Sequence, residues 1–344
     1  MNSENDSDTS EQPTSSVSSS NQEPTSHTPE IRLPSKLTSA GFQLRKRLGK
    51  GGQGTVFEVK REWTDRGVKR VGHYAIKVTY LDSLKQLYQE YYNKVLNDYV
   101  KGEPRLTSNL CHPNIISILK KHVLKTNKYL FVVMEKAVGC LGEKIDHKTG
   151  YTIPQPLRYV IKWTTQCLDA FTYMHHRKRI AHRDFKTDNI LLNEFDDALI
   201  SDFGFAIRFS GLNSRSRVGT PQYQAPEVRE GEAYYPPKTD IFSLGVVIFE
   251  LITGRIITDK RKFPDFARHG VLPSYDKFKR LRSRPGRKDT PRVLYDLMAK
   301  MLALDQNERP DAKALLKELT DTVIPDKETQ YILWEEDWTD DEGE

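Results

Sequence analysis

Hydrophobic and polar positions follow different patterns along the chain, and the change of pattern predicts where strands give way to helices. Residues 1–40 are rich in Ser, Thr, Asn, Glu and Pro, which predicts a disordered arm because little apolar surface can be buried there. Apolar and charged residues then alternate in 42–48 and 55–60, as in half-buried strands. Residues 157–175 have apolar positions at helical spacing instead. Strands followed by helices indicate an α+β fold.

Three further segments refine this prediction. Residues 74–78 and 129–135 are apolar strands, and the first of them contains a single cation, Lys77, which would be costly to bury without a partner. A polar insertion, residues 62–72, precedes the first of these strands. Residues 240–249 are apolar on nearly every side, which predicts a buried central helix.

Length and composition restrict the class of protein. A chain of 344 residues is long enough for one large domain or two. Three cysteines without Cys-x-x-Cys spacing argue against a disulfide framework and favour a reducing compartment. The longest apolar run, 244–252, is interrupted by Glu250 and is too short to span a bilayer, and the N-terminus has no signal-peptide pattern. We therefore expect a cytoplasmic protein without a membrane partner, with the nucleus as an alternative.

The net charge of +6 is unevenly distributed. Residues 277–288 are basic, and two interpretations stay open: a solvated loop, or a patch for nuclear import or an acidic partner. No aromatic stacking platform accompanies this charge, so nucleic-acid binding is not indicated. Residues 335–344 are acidic, and the nearby Trp334 and Trp338 would share one face of a helix and are expected to dock on the protein or on a partner.

A glycine-rich turn lies between the first two predicted strands. The spacing Gly49-x-Gly51-x-x-Gly54-x-Val56 is a weak signal alone. Strands on both sides distinguish this turn from a dinucleotide-binding fingerprint, in which a helix follows the glycines. A phosphate-covering loop is the better interpretation.

Acidic and amide side chains form two closely spaced motifs later in the chain. The stretch 182–189 reads His-Arg-Asp-Phe-Lys-Thr-Asp-Asn, and Asp202-Phe203-Gly204 follows. One carboxylate to orient a hydroxyl, with another carboxylate and an amide to hold Mg²⁺, is the set that phosphoryl transfer requires.

Taken in order, these motifs resemble the eukaryotic protein kinase family of the Ser/Thr type over about residues 42–320. The resemblance implies a two-lobed fold, with a small lobe of antiparallel sheet and one helix at 41–135 and a mainly helical large lobe at 136–322. An acidic tail, 323–344, would follow. It also implies that Asp240 braces the catalytic loop and that Arg309 pairs with Glu227.

The resemblance assigns roles to individual residues. Asp184 would orient the attacking hydroxyl, Lys186 would neutralise charge on the transferred group, and Asn189 and Asp202 would bind Mg²⁺. Lys77 would contact the phosphates of ATP. The implied catalytic set is Asp184, Lys186, Lys77 and Asn189, and the implied ATP site comprises Gly49, Lys50, Gly51, Gly52, Gln53, Gly54, Val56, Ala75, Lys77, Glu103, Met134, Glu135, Ala137 and Asp202.

The helix carboxylate that pairs with Lys77 is ambiguous in the sequence. Counting back from His112-Pro113-Asn114-Ile115 gives Glu103, but Pro104 follows it and would disturb a helix interior. Glu90, on the helical stretch 88–99, is the alternative. We predict Glu103.

The substrate class follows from two details of the resemblance. Lys186 after Asp184, together with the segment 219–227, is typical of kinases that act on Ser and Thr in proteins. Asp188 and Glu250 fall where basophilic kinases contact substrate arginines, although Glu250 also suits a solvated helix end. A pseudokinase scaffold and a kinase-fold enzyme that acts on a small molecule or lipid are the alternatives for the whole chain.

Arg183, which precedes the catalytic Asp184, implies regulation by a phosphate on the activation segment, residues 202–227. Ser216, four residues before Thr220, is the predicted phosphosite and is preferred over Ser214. Arg215 and Arg217 flank it, so an upstream kinase or a second copy acting in trans could modify it. Thr220 is expected to hydrogen-bond the catalytic loop instead.

Overall fold

The computed structural model describes residues 31–51, 54–82, 106, 109–126, 128–144, 155–210, 214–258, 262–263, 265–266, 271–282 and 290–340. Sheet and helices are segregated along the chain, which confirms the α+β class. No helix among the described residues is long and apolar enough to cross a membrane.

The first half of the chain forms a five-stranded antiparallel sheet in the order β1-β2-β3-β5-β4. Its strands are β1 (Phe42–Gly51), β2 (Gly54–Asp65), β3 (Val68–Tyr80), β4 (Ile118–Lys125) and β5 (Tyr129–Glu135). Because successive side chains alternate between the faces of a strand, each apolar strand supplies two separate clusters. Val59, Ile76 and Val133 pack on the outer face, whereas Ala75 and Met134 join the core of the second half.

The outer face of the sheet is covered by residues that precede β1. A short helix, α1 (Ser35–Ser39), places Leu37 in full contact with Phe42 and Val59, and Leu37 has no exposed surface. Ile31 and Leu33 pack against the same cluster. The prediction of a solvated arm up to residue 40 is therefore wrong for residues 31–40, because one correctly placed leucine is enough to anchor a short segment. Residues 1–30 lie outside the described part of the chain.

The polar insertion 62–72 continues the β2–β3 hairpin beyond the sheet. Pairing runs without interruption from Gly54↔Thr79 to Asp65↔Val68 and closes with a two-residue turn at Arg66 and Gly67. The Arg61 guanidinium lies over the rings of Phe42 (5.2 Å) and Trp63 (4.9 Å). Stacking of this kind allows a highly charged ribbon to remain ordered at the edge of the outer face.

Helices dominate the second half of the chain. They are α2 (Leu157–Thr172), α3 (Pro226–Glu230), α4 (Pro236–Thr253), α5 (Tyr275–Arg282), α6 (Arg292–Met301), α7 (Ala312–Glu318) and α8 (Lys327–Asp340). Every residue of α4 from Thr239 to Thr253 is buried, which confirms the predicted central helix. A helix was predicted over 157–175; helix α2 confirms it as far as Thr172, and a π-helical turn, Tyr173–Lys178, continues it.

Within the described part of the second half, five short strands carry the loops. Strands β6 (Gly139–Cys140), β8 (Ile190–Leu192) and β9 (Ala198–Ile200) form one small sheet, and β7 (Ile180–Ala181) pairs with β10 (Ile207–Arg208). The β8–β9 register pairs Ile190 with Ile200, so the residues just before β8 and just after β9 lie side by side.

Two passages of the chain connect the halves, and they are bonded to each other. The Ile116 amide donates to the Ile200 carbonyl and the Ile200 amide donates to the Asn114 carbonyl, both at 2.9 Å, so residues 114–116 pair with β9. One residue further on, the Ser117 amide donates to Glu135 Oε1 (2.6 Å) and the Glu135 amide donates to the Ser117 carbonyl (2.9 Å).

The acidic tail begins as a packed helix. Ile332 of α8 is buried and Leu333 packs against the main core, so the segment from residue 327 is held on the second half of the chain. Trp334 and Trp338 both lie within α8, but their side chains are outside the described part of the chain, and their docking stays a prediction.

Candidate active site

The central helix fixes the backbone of the catalytic loop. Asp240 of α4 accepts hydrogen bonds from the amides of His182 and Arg183, both at 2.8 Å, as the resemblance implied. His175 Nε2 lies 2.9 Å from the same carboxylate, a contact that the sequence gave no reason to expect because His175 closes an ordinary helical pattern. All four residues are buried, so the loop is attached to the core of the second half of the chain.

Asp184 is held by groups from its own loop and from the segment that precedes α3. Its Oδ1 accepts from the amide and from the hydroxyl of Thr220, both at 2.7 Å. Lys186 Nζ lies 3.7 Å from the other oxygen of Asp184 and donates to the Thr220 hydroxyl at 2.8 Å. The expectation that Thr220 hydrogen-bonds the catalytic loop is confirmed.

Lys77 and Asp202 meet across the cleft between the two halves. Lys77 Nζ is 2.5 Å from Asp202 Oδ1, and the lysine is buried in β3 as its apolar strand predicted. The ammonium group therefore has the anionic partner that its burial requires. Asp202 has a left-handed backbone (φ 57), and its Oδ1 also accepts from the Gly204 amide at 3.4 Å.

The two carboxylates differ in protonation behaviour. Burial raises the pKa of Asp184 above its ordinary value, and the nearby Asp202 charge adds to this while Lys186 and Thr220 oppose it. Burial also pushes the pKa of Asp202 upward, but the charge of Lys77 and its hydrogen bond outweigh burial and hold that pKa below its ordinary value. Asp202 is thus kept anionic, as a metal ligand must be.

The residues predicted to bind Mg²⁺ fit an oxygen-coordinated ion. Asn189 and Asp202 flank the paired ends of β8 and β9. The Asn189 amide nitrogen donates to the Asp184 carbonyl at 2.7 Å, which leaves the amide oxygen to act as a ligand. The hydrogen bonds from Lys77 and from the Gly204 amide both use Oδ1 of Asp202, so Oδ2 is the second candidate ligand oxygen. One carboxylate and one amide oxygen are the few protein ligands that Mg²⁺ prefers.

The predicted adenine-lining residues share one face of the sheet. Val56 pairs with Lys77, and Ala75 pairs with Met134, so the side chains of all four point to the same side. Val56, Ala75 and Met134 belong to the cluster that faces the second half of the chain. The alternation of side chains along the strands thus places Val56, Ala75 and Met134 on the same face of the sheet as Lys77.

The glycine-rich turn forms the end of the β1–β2 hairpin. Gly51 pairs with Gly54, while Gly52 and Gln53 lie outside the described residues. A Cβ on Gly54 would lie 2.2 Å from the Val78 carbonyl oxygen, so only glycine allows β2 to approach β3 here. Gly49 and Lys50 are in the paired part of β1.

Residues 135–137 of the predicted ATP site include a contact that sequence reasoning missed. The Glu135 amide already donates to the Ser117 carbonyl (2.9 Å), so it is not free to bind a nucleotide. Lys136 Nζ donates to Glu58 Oε1 of β2 (3.2 Å), and His73 Nδ1 lies 3.0 Å from the same oxygen. The signal for this contact in the sequence was Glu58, an acidic residue two positions after Val56 and therefore on the same inner face of β2.

A family model described as a protein kinase domain matches residues 42–319. The chain belongs to the protein kinase family. This membership confirms the two-lobed fold that the motifs implied, with the sheet as the small lobe and the helices as the large lobe.

Two curated relatives are described as kinases of Ser and Thr. The chain is 31% identical over 220 residues to the probable serine/threonine-protein kinase CCRP1 of Zea mays, covering 63% of this chain and 33% of that protein. It is 34% identical over 231 residues to the serine/threonine-protein kinase SIK1 of Rattus norvegicus, covering 65% of this chain and 26% of that protein. The matched part is thus a third or less of the length of these relatives.

The kinase domain carries the structural ion pair that the resemblance implied. Arg309 donates to both oxygens of Glu227, at 2.6 and 2.9 Å, and both side chains are buried. The Arg309 guanidinium also donates to the carbonyls of Ala303 and Leu304 and lies 4.9 Å from the Phe242 ring centroid. This pair attaches α3, and therefore the segment around Thr220, to the large lobe.

Glu250 does not lie at a solvated helix end. It has no exposed surface, and its Oε2 accepts from the Tyr223 hydroxyl at 2.6 Å, which in turn lies 3.1 Å from the Thr187 hydroxyl. Burial raises the pKa of Glu250 to about 7. Asp188, by contrast, is exposed. A substrate-facing role for this pair stays a prediction.

The described residues do not test the predicted partner of Lys77 or the predicted phosphorylation of Ser216. Glu103 and Glu90 both lie outside the described residues, so the helix carboxylate that pairs with Lys77 is still a prediction. Ser216 is half-buried in the activation segment, and its phosphorylation is likewise untested. Arg183 Nε donates to the Phe205 carbonyl at 2.7 Å, so part of its hydrogen-bonding capacity is met within the protein.

Proposed function

We propose that this kinase domain transfers the γ-phosphoryl group of Mg-ATP to Ser and Thr hydroxyls of protein substrates. The observation that carries the proposal is the convergence of Lys77, Asp202 and Asp184 at one cleft, with Lys186 and Thr220 beside them. The buried contact between Lys77 and Asp202 supports this proposal over a pseudokinase scaffold, because it places a cation beside the residue proposed to bind Mg²⁺.

The chemistry assigned to each side chain follows from its surroundings. Asp184, fixed by two hydrogen bonds to one oxygen, presents its other oxygen to an acceptor hydroxyl and takes up its proton late in the transfer. Lys186 carries positive charge to the same point and stabilises negative charge on the transferred group. Asn189 and Asp202 would hold Mg²⁺, which neutralises the phosphate oxygens of ATP.

The nucleotide would bind between the inner face of the small-lobe sheet and the catalytic loop. Val56, Ala75 and Met134 provide the apolar surface for adenine, and backbone groups of residues 135–137 provide its hydrogen bonds. Lys77 contacts the phosphates, and the glycine-rich turn at 49–54 covers them. Glu103 is the proposed helix partner of Lys77.

The proposed acceptors are Ser and Thr of proteins because Lys186 and Thr220 form one hydrogen-bonded unit with Asp184. The exposed Asp188 supports a preference for basic residues near the acceptor. We propose the cytoplasm as the site of action, with the nucleus as the alternative favoured by the basic segment 277–288.

The test is transfer of label from γ-labelled ATP to matched peptides that differ only in a Ser, Thr or Tyr acceptor. Lys77→Met and Asp202→Asn should each reduce transfer by about a thousandfold or more, because each leaves phosphate or metal charge uncompensated. Asp196→Asn is the matched control, since Asp196 is a half-exposed residue in a left-handed turn that asparagine tolerates. Folded wild-type protein no more active than Asp202→Asn would identify a pseudokinase scaffold instead.

A further inference from the structure

The activation segment is attached to the loop between α3 and α4 by backbone pairing. The Tyr234 amide donates to the Ser214 carbonyl at 3.0 Å, and the Ser214 amide donates to the Tyr234 carbonyl at 3.4 Å. These two bonds form an isolated antiparallel bridge. The bridge fixes one point of the segment without using any side chain of the segment.

The Tyr234 side chain adds a second attachment two residues further along. Its hydroxyl donates to the Ser216 carbonyl at 2.8 Å, and the tyrosine is only 1% exposed. The Val218 amide donates to the same carbonyl at 3.0 Å. Ser216 is therefore held through its backbone oxygen, and its own hydroxyl is not part of the attachment.

Arg217 provides a third attachment. Its Nη2 donates to the Glu230 carbonyl at 2.7 Å, at the C-terminal end of α3, where the helix dipole favours a cation. A Cβ on Gly231 would lie 2.6 Å from Arg217 Nε, so the guanidinium packs directly on the glycine that ends this helix. The charge of Arg217 is thus satisfied by α3.

These attachments lead directly to the catalytic aspartate. Val218 is buried against Phe205, whose carbonyl accepts from Arg183 Nε. Gln224 Nε2 donates to the carbonyls of Val218 (2.9 Å) and Gly219 (3.1 Å). The next residue, Thr220, makes the two hydrogen bonds to Asp184. A displacement of Ser216 would therefore be transmitted through residues 217–219 to Thr220 and its hydrogen bonds with Asp184.

We propose that Tyr234 and Arg217 are positioning residues that hold the activation segment in its substrate-ready form without a phosphate on the segment. The inference rests on the proposed function. A phosphate on Ser216 would order the segment through an added anion. Here a buried tyrosine hydroxyl and a helix terminus supply the ordering contacts, so modification of Ser216 is not required for activity.

The chain offers a matched control for each positioning residue. Tyr234→Phe removes one hydroxyl, and Tyr235→Phe removes a neighbouring hydroxyl that makes no hydrogen bond within the described residues. Arg217→Ala removes the guanidinium that donates to the Glu230 carbonyl. Arg215→Ala removes an exposed guanidinium that forms no ion pair or hydrogen bond with any residue that the structure describes. Ser216→Ala tests the phosphate directly.

All variants are treated with phosphatase, checked by mass spectrometry for loss of phosphate between residues 210 and 220, and assayed for peptide phosphorylation. We expect dephosphorylated wild type and Ser216→Ala to be equally active. Tyr234→Phe and Arg217→Ala should lower kcat/KM for the peptide about fivefold to tenfold, as the loss of one hydrogen bond implies. The KM for ATP should not change in any of them, and both controls should match wild type.

Hydrogen exchange of the amides of residues 214–220, measured without nucleotide, separates this inference from the proposed function. Faster exchange in Tyr234→Phe and Arg217→Ala than in their controls supports the positioning role even if no variant phosphorylates peptide. Equal exchange in all variants would overturn it. It would also be overturned if dephosphorylated wild type were inactive and regained transfer only when Ser214 or Ser216 was phosphorylated.

Discussion

Thr220 donates two hydrogen bonds to a single oxygen of Asp184, one from its amide and one from its hydroxyl. Thr220→Ala keeps the first and removes the second. We expect kcat to fall about tenfold or more, because a hydrogen bond to a charged group is lost, whereas Thr220→Ser should retain most of the activity. Steady-state kinetics with a Thr peptide measure this difference, and equal rates for the Ala and Ser variants would contradict the role.

The same substitution should move the pH profile. In the proposed mechanism, transfer requires ionised Asp184. Burial raises the pKa of Asp184 above its ordinary value, and the hydrogen bond from the Thr220 hydroxyl offsets part of that increase. Activity should therefore decline as the pH falls through that raised pKa. Thr220→Ala should shift this acid limb of kcat to higher pH, while Thr220→Ser should leave it in place. A shift to lower pH would show that Asp184 does not determine the limb.

Leu37 should stabilise the small lobe although it lies outside the sheet. Leu37→Ala deletes a fully buried side chain between α1 and β1, and we expect a loss of about 2–5 kcal/mol in the free energy of unfolding. Lys36→Ala, on the exposed side of the same helix, is the control. Urea unfolding measures both. Removing residues 1–38 should likewise lower the melting temperature, and an unchanged value would mean that Leu37 is dispensable.

The Arg309–Glu227 pair should depend on the planar fork of arginine. Arg309→Lys keeps the charge but cannot reach both carboxylate oxygens and two carbonyls, so we expect a loss of about 3–5 kcal/mol in the free energy of unfolding. Arg292→Lys tests an exposed pair with Asp296, where the loss should be much smaller because solvent screens the two charges. Equal losses at both sites would refute the importance of burial.

Glu250 should make stability depend on pH near neutrality. Burial raises its pKa to about 7 in the folded protein, against an ordinary value of 4.5, so the folded state binds the proton more tightly. Stability should therefore fall by up to about 3 kcal/mol as the pH rises from roughly 4.5 to 7, and then level off. Glu250→Gln should lack this slope. Glu232→Gln, at an exposed position, should keep it, and unfolding curves at several pH values decide the matter.

Glu103 is predicted to pair with Lys77 in the active state. Glu103→Gln should reduce transfer strongly and raise the KM for ATP, because Lys77 would no longer be oriented towards the phosphates. Glu90→Gln should have little effect. The reverse result would show that the count back from His112 was wrong and that Pro104 marks the end of the helix.

Local patterns in the sequence predicted the elements well, because alternation and helical spacing are recorded residue by residue. Strand β3 with Lys77 and the buried helix with Asp240 are examples, and the motif order placed Asp184, Asn189 and Asp202 in one site. Leu37 was missed because one leucine in a polar segment has no period. Glu58–Lys136 and Tyr234–Ser216 were missed because each depends on tertiary packing between distant parts of the chain.

The cross-bonded pair Ser117 and Glu135 has a mechanical consequence for lobe closure. Residues 114–116 pair with β9, so they move with the large lobe even though they precede β4. The chain thus leaves and re-enters the large lobe at two points that are fastened to each other by two hydrogen bonds. Two connecting segments that are hydrogen-bonded to each other favour rotation of one lobe about a single axis and oppose twisting of the lobes. We therefore expect the cleft to open by a hinge rotation, in which the small lobe moves in a single plane over Asp202.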